Sequence, residues 1–172
     1  DKIGLVTKKF VLFGTDKSLP DGRIIATKGE AGFQAQTLAP GLYWMKWIWQ
    51  YSIDMTPFTI IPEGKIGLVL SKDGKEIPTG RILARKVECD NYQDATAFLN
   101  NGGQKGRQTA FITTGSYRIN TFLFEVSAVK QVSVQENMVG IVTTLDGEPL
   151  SKDQIAGEKI EGRVFRRYRG QH

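Results

Sequence analysis

Short runs of β-branched and other apolar residues, broken at brief intervals by Gly, Pro and Asp, dominate the chain: Ile3 to Thr7, Arg23 to Thr27, Ile66 to Ser71, Arg81 to Val87, Val132 to Val134 and Val139 to Thr144. The pattern predicts strands, because branched side chains fit a pleated surface and turn-forming residues mark where it ends. Lys72-Asp73-Gly74-Lys75 and Leu145-Asp146-Gly147-Glu148 set Asp-Gly between apolar segments, where positive φ is easily reached, so each predicts a hairpin or tight turn. From Tyr43 to Ile53 the chain alternates, which puts Tyr43, Met45, Trp47, Trp49, Tyr51 and Ile53 on one face of a strand and Trp44 on the other. Tyr117 to Val126 keeps that strand character without the tryptophans. One helix is expected, over about residues 91–101. Asp90 is placed to cap it and Gln93 takes the capping-box position. Tyr92, Ala95, Phe98 and Leu99 recur at helical spacing, and Asn101-Gly102-Gly103 ends the run.

The strand pattern repeats. Lys65-Ile66-Gly67-Leu68-Val69 restates Lys2-Ile3-Gly4-Leu5-Val6, Arg81-Ile82-Leu83-Ala84 echoes Arg23-Ile24-Ile25-Ala26, and Gly106-Arg107-Gln108 with Gly115-Ser116-Tyr117 restates Gly32-Phe33-Gln34 with Gly41-Leu42-Tyr43. The order is the same in both copies, and the later matches lie farther apart than the opening ones, so the second copy carries an insertion, which holds the helix. Val139-Gly140-Ile141-Val142 with Asp146-Gly147 mirrors Ile66-Gly67-Leu68-Val69 with Asp73-Gly74 and opens a third copy. The expected architecture is α+β and mostly β: a first unit over 1–62, a second over 63–137 with the helical insertion, and a truncated third repeat with a basic tail over 138–172. Repetition of whole units favours scaffolding over a single catalytic pocket.

Composition narrows the chemistry. A chain of 172 residues, 40% of them hydrophobic, has enough apolar side chain to bury a real core. The formal charge of +5 favours phosphate-bearing surfaces, whether nucleic acid or anionic lipid. Cys89 is the single cysteine and His172 the single histidine, so an internal disulfide, a zinc-ribbon site and a serine triad lack their parts. Asp90 with Asp94, or Glu63 with Asp73, would serve acid–base chemistry only if buried together, and their places at a helix start and in turns argue against it. Gly102 to Arg107 superficially resembles a phosphate-binding loop, but it follows a helix instead of opening one, which makes it a helix C-cap and turn. No enzymatic activity and no cofactor are expected.

Two features remain for binding. The aromatic strand would stack bases or sit among lipid headgroups, although core packing accounts for it more simply. The segment after Gly157 is basic, with Arg163, Arg166, Arg167 and Arg169 offering contact to an anionic surface, or forming a solvated strand or linker.

Several strings taken together resemble the SPFH or band-7 family, particularly its bacterial flotillin-like members: Gly32-Phe33-Gln34, Leu38-Ala39-Pro40-Gly41-Leu42-Tyr43, Ile61 to Val69, Gly80 to Ala84, Tyr92-Gln93-Asp94-Ala95, Phe98 to Gln108 and Gly115 to Thr121. Tyr92 stands where that family usually has phenylalanine and Arg107 where proline is common. The resemblance implies a non-enzymatic scaffold that assembles into large oligomers on membranes and organises microdomains and partner proteins. The chain would be an N-terminal, extramembrane piece on the cytoplasmic face, attached to lipid through an anchor outside the sequence. Lys2, Lys8, Lys9 and Trp44 would then lie near the headgroups. Implied partners are further copies of the chain, small membrane proteins and a membrane protease. The alternatives are a β unit that binds nucleic acid through its basic surface and exposed aromatics, and a peptide binder that accepts an added strand.

Overall fold

The computed structural model describes residues 2–11, 19, 22–43, 49–141, 146, 148–149 and 168–169. The fold is α+β and mostly β. Strand β1 (Lys2–Lys8) lies between β3 (Gly32–Leu38) and β4 (Tyr51–Pro57), antiparallel to both, and the short β2 (Ile25–Ala26) joins β3 in parallel, giving the order β2-β3-β1-β4. β5 (Thr59–Ile61) pairs with the later β8 (Gly115–Tyr117). In a third sheet, β6 (Lys65–Ser71) lies between β7 (Gly106–Arg107) and β9 (Phe124–Lys130), with helix α1 (Ala95–Asn100) inserted between β6 and β7. β10 (Glu148–Pro149) and β11 (Tyr168–Arg169) form a short parallel pair.

The sequence echoes occupy matching positions in these sheets. Lys8 pairs with Gly32 and Ser71 with Gly106; Gly4 faces Leu38 and Gly67 faces Ile112; Lys8 faces Tyr51 and Ser71 faces Phe124. Ala26 meets Gln34 in parallel, as Ala84 meets Gln108. Two side chains take the same role at both places. Gln34 Nε2 donates to the carbonyls of Glu30 and Gly32, and Gln108 Nε2 to those of Gln104 and Gly106. The Tyr43 hydroxyl donates to Ala39 O, and that of Tyr117 to Thr113 O. These bonds give backbone carbonyls beside each irregular pairing a partner that the ladder does not supply.

Glycine at the third place of each Lys-Ile-Gly-Leu-Val string has a steric cause. A Cβ on Gly67 would fall 2.5 Å from Ile112 Cγ1 and 2.9 Å from Ile61 Cδ1, and one on Gly4 would fall 2.9 Å from Ile53 Cγ2 and 3.3 Å from Leu38 Cβ. The neighbours' side chains close over the glycine: Leu38 and Ile53 of the flanking strands cover Gly4, and Ile112 with Ile61 of β5 covers Gly67.

One apolar core spans the first and third sheets. Phe98 and Phe124 meet edge to face with ring centroids 4.9 Å apart, Tyr92 stands 5.3 Å from Phe124, and Ile25 and Ala35 of the first sheet join the same cluster as Ile61, Val69, Ile112, Ile119 and Leu123. Buried aromatic and aliphatic area of this kind is the main stabilising term of a small domain. Asn120, fully buried, adds a polar tie: its Nδ2 donates to the carbonyls of Gln34 and Ala35 in β3, and its Oδ1 accepts from Phe122 N.

Several sequence expectations need correction. The helix starts at Ala95, capped by the carboxylate of Asp94, which accepts from Ala97 N at 2.8 Å; Asp90 is not the cap. Asp90, Asn91 and Tyr92 have φ of 47°, 51° and 66°, a left-handed turn that swings the Tyr92 ring onto Phe98 and Phe124 and lets its hydroxyl reach Ala110 O. Tertiary packing thus overrides the helical spacing. The helix end agrees with expectation: Gly102 sits at φ 76°, and Gly103 N and Gly102 N return to Phe98 O and Leu99 O, a Schellman closure.

Arg81 to Val87 forms no strand beyond the bridge at Ala84, and Val132 to Val134 and Val139 to Ile141 run outside any sheet. Within Tyr43 to Ile53, residues 44–48 lie outside the described residues, Trp49 and Gln50 form a turn, and the strand begins at Tyr51. Of the expected core face, Trp49 is 82% exposed and Tyr43 and Ile53 are also exposed, whereas Tyr51 is half-buried. β4 stands at the end of its sheet in the order of the described strands. Lys72 to Lys75 bends tightly but makes no hairpin, because the antiparallel partners of β6, β7 and β9, enter the chain only after helix α1.

Gly67→Ala is expected to destabilise the fold by about 1–3 kcal/mol, because Ile112 and Ile61 must move off their packed positions. Ala at the exposed Gly22 would test only the positive φ, and urea denaturation of both variants separates crowding from backbone strain.

Candidate functional site

Among the described residues expected to meet a membrane, the lysines do not form one patch. Lys2 begins β1 and is exposed, whereas Lys8 ends it, about 20 Å away at strand spacing. Lys8 Nζ donates to Gly29 O at 2.6 Å, which holds this half-buried lysine against the loop before β3, and Lys9 is exposed just beyond. Trp44, Arg163, Arg166 and Arg167 lie outside the described residues, and Arg169 is placed in β11 by its backbone.

A polar cleft of about 730 Å³ opens where β1 and β3 face the approach to α1; Lys8, Gln34, Tyr51, Asp90, Gln93 and Arg118 are among its lining residues. Several of its polar groups are already used for structure. Gln34 and Lys8 hold backbone carbonyls, Gln93 Oε1 accepts from Arg118 N while its Nε2 donates to Asp90 Oδ2, and Asp94 caps the helix. Cys89 is buried, its Sγ 3.6 Å from Val87 O, and burial pushes its thiol pKa up, away from the nucleophilic thiolate. Burial likewise raises the Tyr92 hydroxyl far above its ordinary range.

The most distinctive polar chemistry is a carboxylate clasp, seen twice. The Asp73 side chain, which turn chemistry alone would leave in water, is fully buried. Its Oδ2 accepts from Ile24 N at 2.9 Å and Ile25 N at 2.8 Å, while Oδ1 accepts from Gly74 N at 2.6 Å and lies 2.9 Å from Arg23 Nε. The Arg23 contact is an ion pair without the direction of a hydrogen bond. Asp73 follows β6 and Arg23 to Ile25 lead into β2, so the clasp fastens one sheet to the other.

Asp146 repeats this arrangement on Arg81 to Leu83. Its Oδ2 accepts from Leu83 N at 2.9 Å and its Oδ1 from Arg81 Nε at 3.0 Å, with the side chain 4% exposed. Burial alone would raise the Asp146 pKa, but the N–H groups of Leu83 and Ile82 and the Arg81 guanidinium outweigh it and hold the carboxyl below its ordinary value. Charge-assisted hydrogen bonds of this kind are the strong class, and a buried carboxylate without them would be costly. The signal for both clasps was present in the sequence as Asp-Gly and Arg-Ile, but each alone is a common dipeptide, and only the fold brings them together.

Comparison with family models, with curated proteins and with solved structures found no match to this chain. Among the described residues, no helix is long and apolar enough to cross a membrane.

Because the Asp146 carboxyl titrates lower in the folded than in the unfolded chain, its contribution is complete above the ordinary carboxylate pKa of 3.8 and is lost as pH falls through the folded value. Asp146→Asn is therefore expected to cost about 1–3 kcal/mol at neutral pH. In urea denaturation its difference from the parent chain should shrink as the pH is lowered below that value.

Proposed function

We propose that the chain is a non-enzymatic assembly unit, built from two related β modules and the start of a third, and that it serves as the extramembrane part of an oligomeric, SPFH-like scaffold organising membrane microdomains. The observation that carries this reading is that residues repeated in sequence do the same structural work at each occurrence: the covered Gly4 and Gly67, the carbonyl-holding Gln34 and Gln108, Tyr43 and Tyr117, and the clasps of Asp73 and Asp146. Duplicated architecture serves lateral growth and repeated contact surfaces, whereas a catalytic pocket gains nothing from being built twice in outline.

Two further observations support it. β4 and β9 stand at the ends of their sheets in the order of the described strands, and the end of a sheet is where edge pairing adds a strand from a neighbouring copy. Ile53 and Met55 stand exposed on β4, with Trp49 in the turn before it. The buried polar groups with catalytic capacity are consumed by the fold: Asp73 and Asp146 in clasps, Asn120 in the tie to β3 and Cys89 in the core. On this reading the lysines of β1 and the basic tail face anionic headgroups, with membrane attachment supplied from elsewhere in the scaffold. The isolated chain should associate only weakly with itself, since edge pairing without an anchor lacks the high local concentration a membrane provides.

The test is co-sedimentation with neutral and with anionic phosphatidylserine vesicles across a salt series, with a single-stranded oligonucleotide as competitor. Binding to the anionic vesicles that falls with salt and survives the competitor is the expected result. Transfer to the oligonucleotide would replace this reading with the nucleic-acid one, for which the exposed Trp49 provides a stacking surface. Binding to neither would overturn direct membrane contact by this part of the scaffold.

A further inference from the structure

The two clasps share more than their chemistry. In each, one carboxylate oxygen takes backbone N–H at the start of an Arg-led segment and the other faces the arginine Nε, and in each the carboxylate comes from an Asp-Gly turn that opens the next repeat. We propose that turn and segment are the plug and socket of one head-to-tail joint, so that Arg81, Ile82 and Leu83 form a docking surface on which the third repeat seats through Asp146. The proposal rests on the repeat reading above and adds to it the means by which successive modules are fixed to one another.

Three observations independent of the carboxylates place residues 132–141 as the counterpart of 59–68. Asn137 takes φ 67° where Gly64 takes 73°. Met138 N donates to Gln135 O at 3.2 Å, as Lys65 N does to Pro62 O at 3.2 Å. A Cβ on Gly140 would meet Val134 Cγ2 at 3.0 Å, as one on Gly67 would meet Ile61 Cδ1 at 2.9 Å. The third repeat therefore enters by the same turn and crosses the same glycine before its aspartate reaches the socket. Yet Val139 and Ile141 are 92% and 93% exposed, so apolar packing does not hold this segment in place. Among the described residues, Asp146 is the contact that holds it.

The joint also has a direction. In the first repeat, the position matching Asp73 is Phe10, so that repeat carries a socket at Arg23 to Ile25 but no carboxylate plug. Each socket accepts the module that follows it in the chain and fixes the angle between neighbours through a buried, bidentate contact, so the modules cannot swing as if on a linker.

The test uses the full chain with Asp146→Asn, followed by amide hydrogen exchange in NMR and by the distance between spin labels at Lys86→Cys and Glu136→Cys. Both label sites are exposed, and Cys89 is buried. The expected result is that Leu83 and Ile82 amides exchange about tenfold faster or more while Ile24 and Ile25 keep their protection, and that a narrow label distance becomes broad. Unchanged Leu83 exchange would overturn the proposal. So would faster exchange with an unchanged label distance, because the bond would then be local and would not position a module. If Asp146→Asn does not fold, Arg81→Gln, which keeps the amide bonds, is expected to broaden the distance by itself, and an unaltered distance there would count equally against the joint. Loss of the joint's predicted behaviour with vesicle binding intact faults this proposal alone. An intact joint without vesicle binding faults the scaffold reading alone.

Discussion

A carboxylate fully withdrawn from water is tolerable only if the protein replaces its hydration with donors, and Asp73 obtains three backbone N–H groups and a guanidinium. Those donors come from both sides of a boundary. Gly74 lies in the aspartate's own turn, while Arg23, Ile24 and Ile25 lead into a strand of the other sheet. Neither sheet can move away without leaving an unpaired buried charge, so the clasp constrains their relative placement more strictly than apolar contact alone, which is non-directional. Much else follows from this placement. Ile25 and Ala35 enter the core beside Phe98 and Phe124, and Asn120 reaches across to β3.

The rest of the architecture divides into parts set by sheet sterics and parts set by turns. Gly4 and Gly67 allow the strands beside them to close over the central strand. Gln34 and Gln108 absorb the irregular register by holding two carbonyls each. The same devices thus serve two sheets whose surroundings differ, as helix α1 before β7 illustrates.

Local signals made β1, β6 and the Gly102 closure of the helix legible in the sequence, because alternation, β-branching and a glycine at positive φ act within a few residues. The Lys-Ile-Gly-Leu-Val string shared by β1 and β6 was legible for the same reason, since each begins the central strand of its sheet. The helix start was not, since the pull that turns Asp90 to Tyr92 left-handed comes from Phe124 and Ala110, far along the chain. In the aromatic segment, alternation reports a face without saying whether that face is covered, and Trp49 and Ile53 meet solvent. Asp73 and Asp146 are legible in the sequence only as turn residues. Turn propensity is local, and nothing local distinguishes an aspartate that faces water from one that faces an arginine and two amides some fifty positions away. The positions of Lys2 and Lys8 were clear, but that they occupy opposite ends of one strand followed only from the strand's length.

The central claim is that a buried carboxylate couples the two sheets. A double-mutant cycle on Arg23→Gln and Asp73→Asn, read by urea denaturation, tests it most directly. The account predicts a coupling of about 1 kcal/mol or more between the two substitutions, because each removes the partner that makes the other's burial tolerable. Additive effects, agreeing to within about 0.3 kcal/mol, would contradict it and reduce Asp73 to a turn residue that happens to be covered.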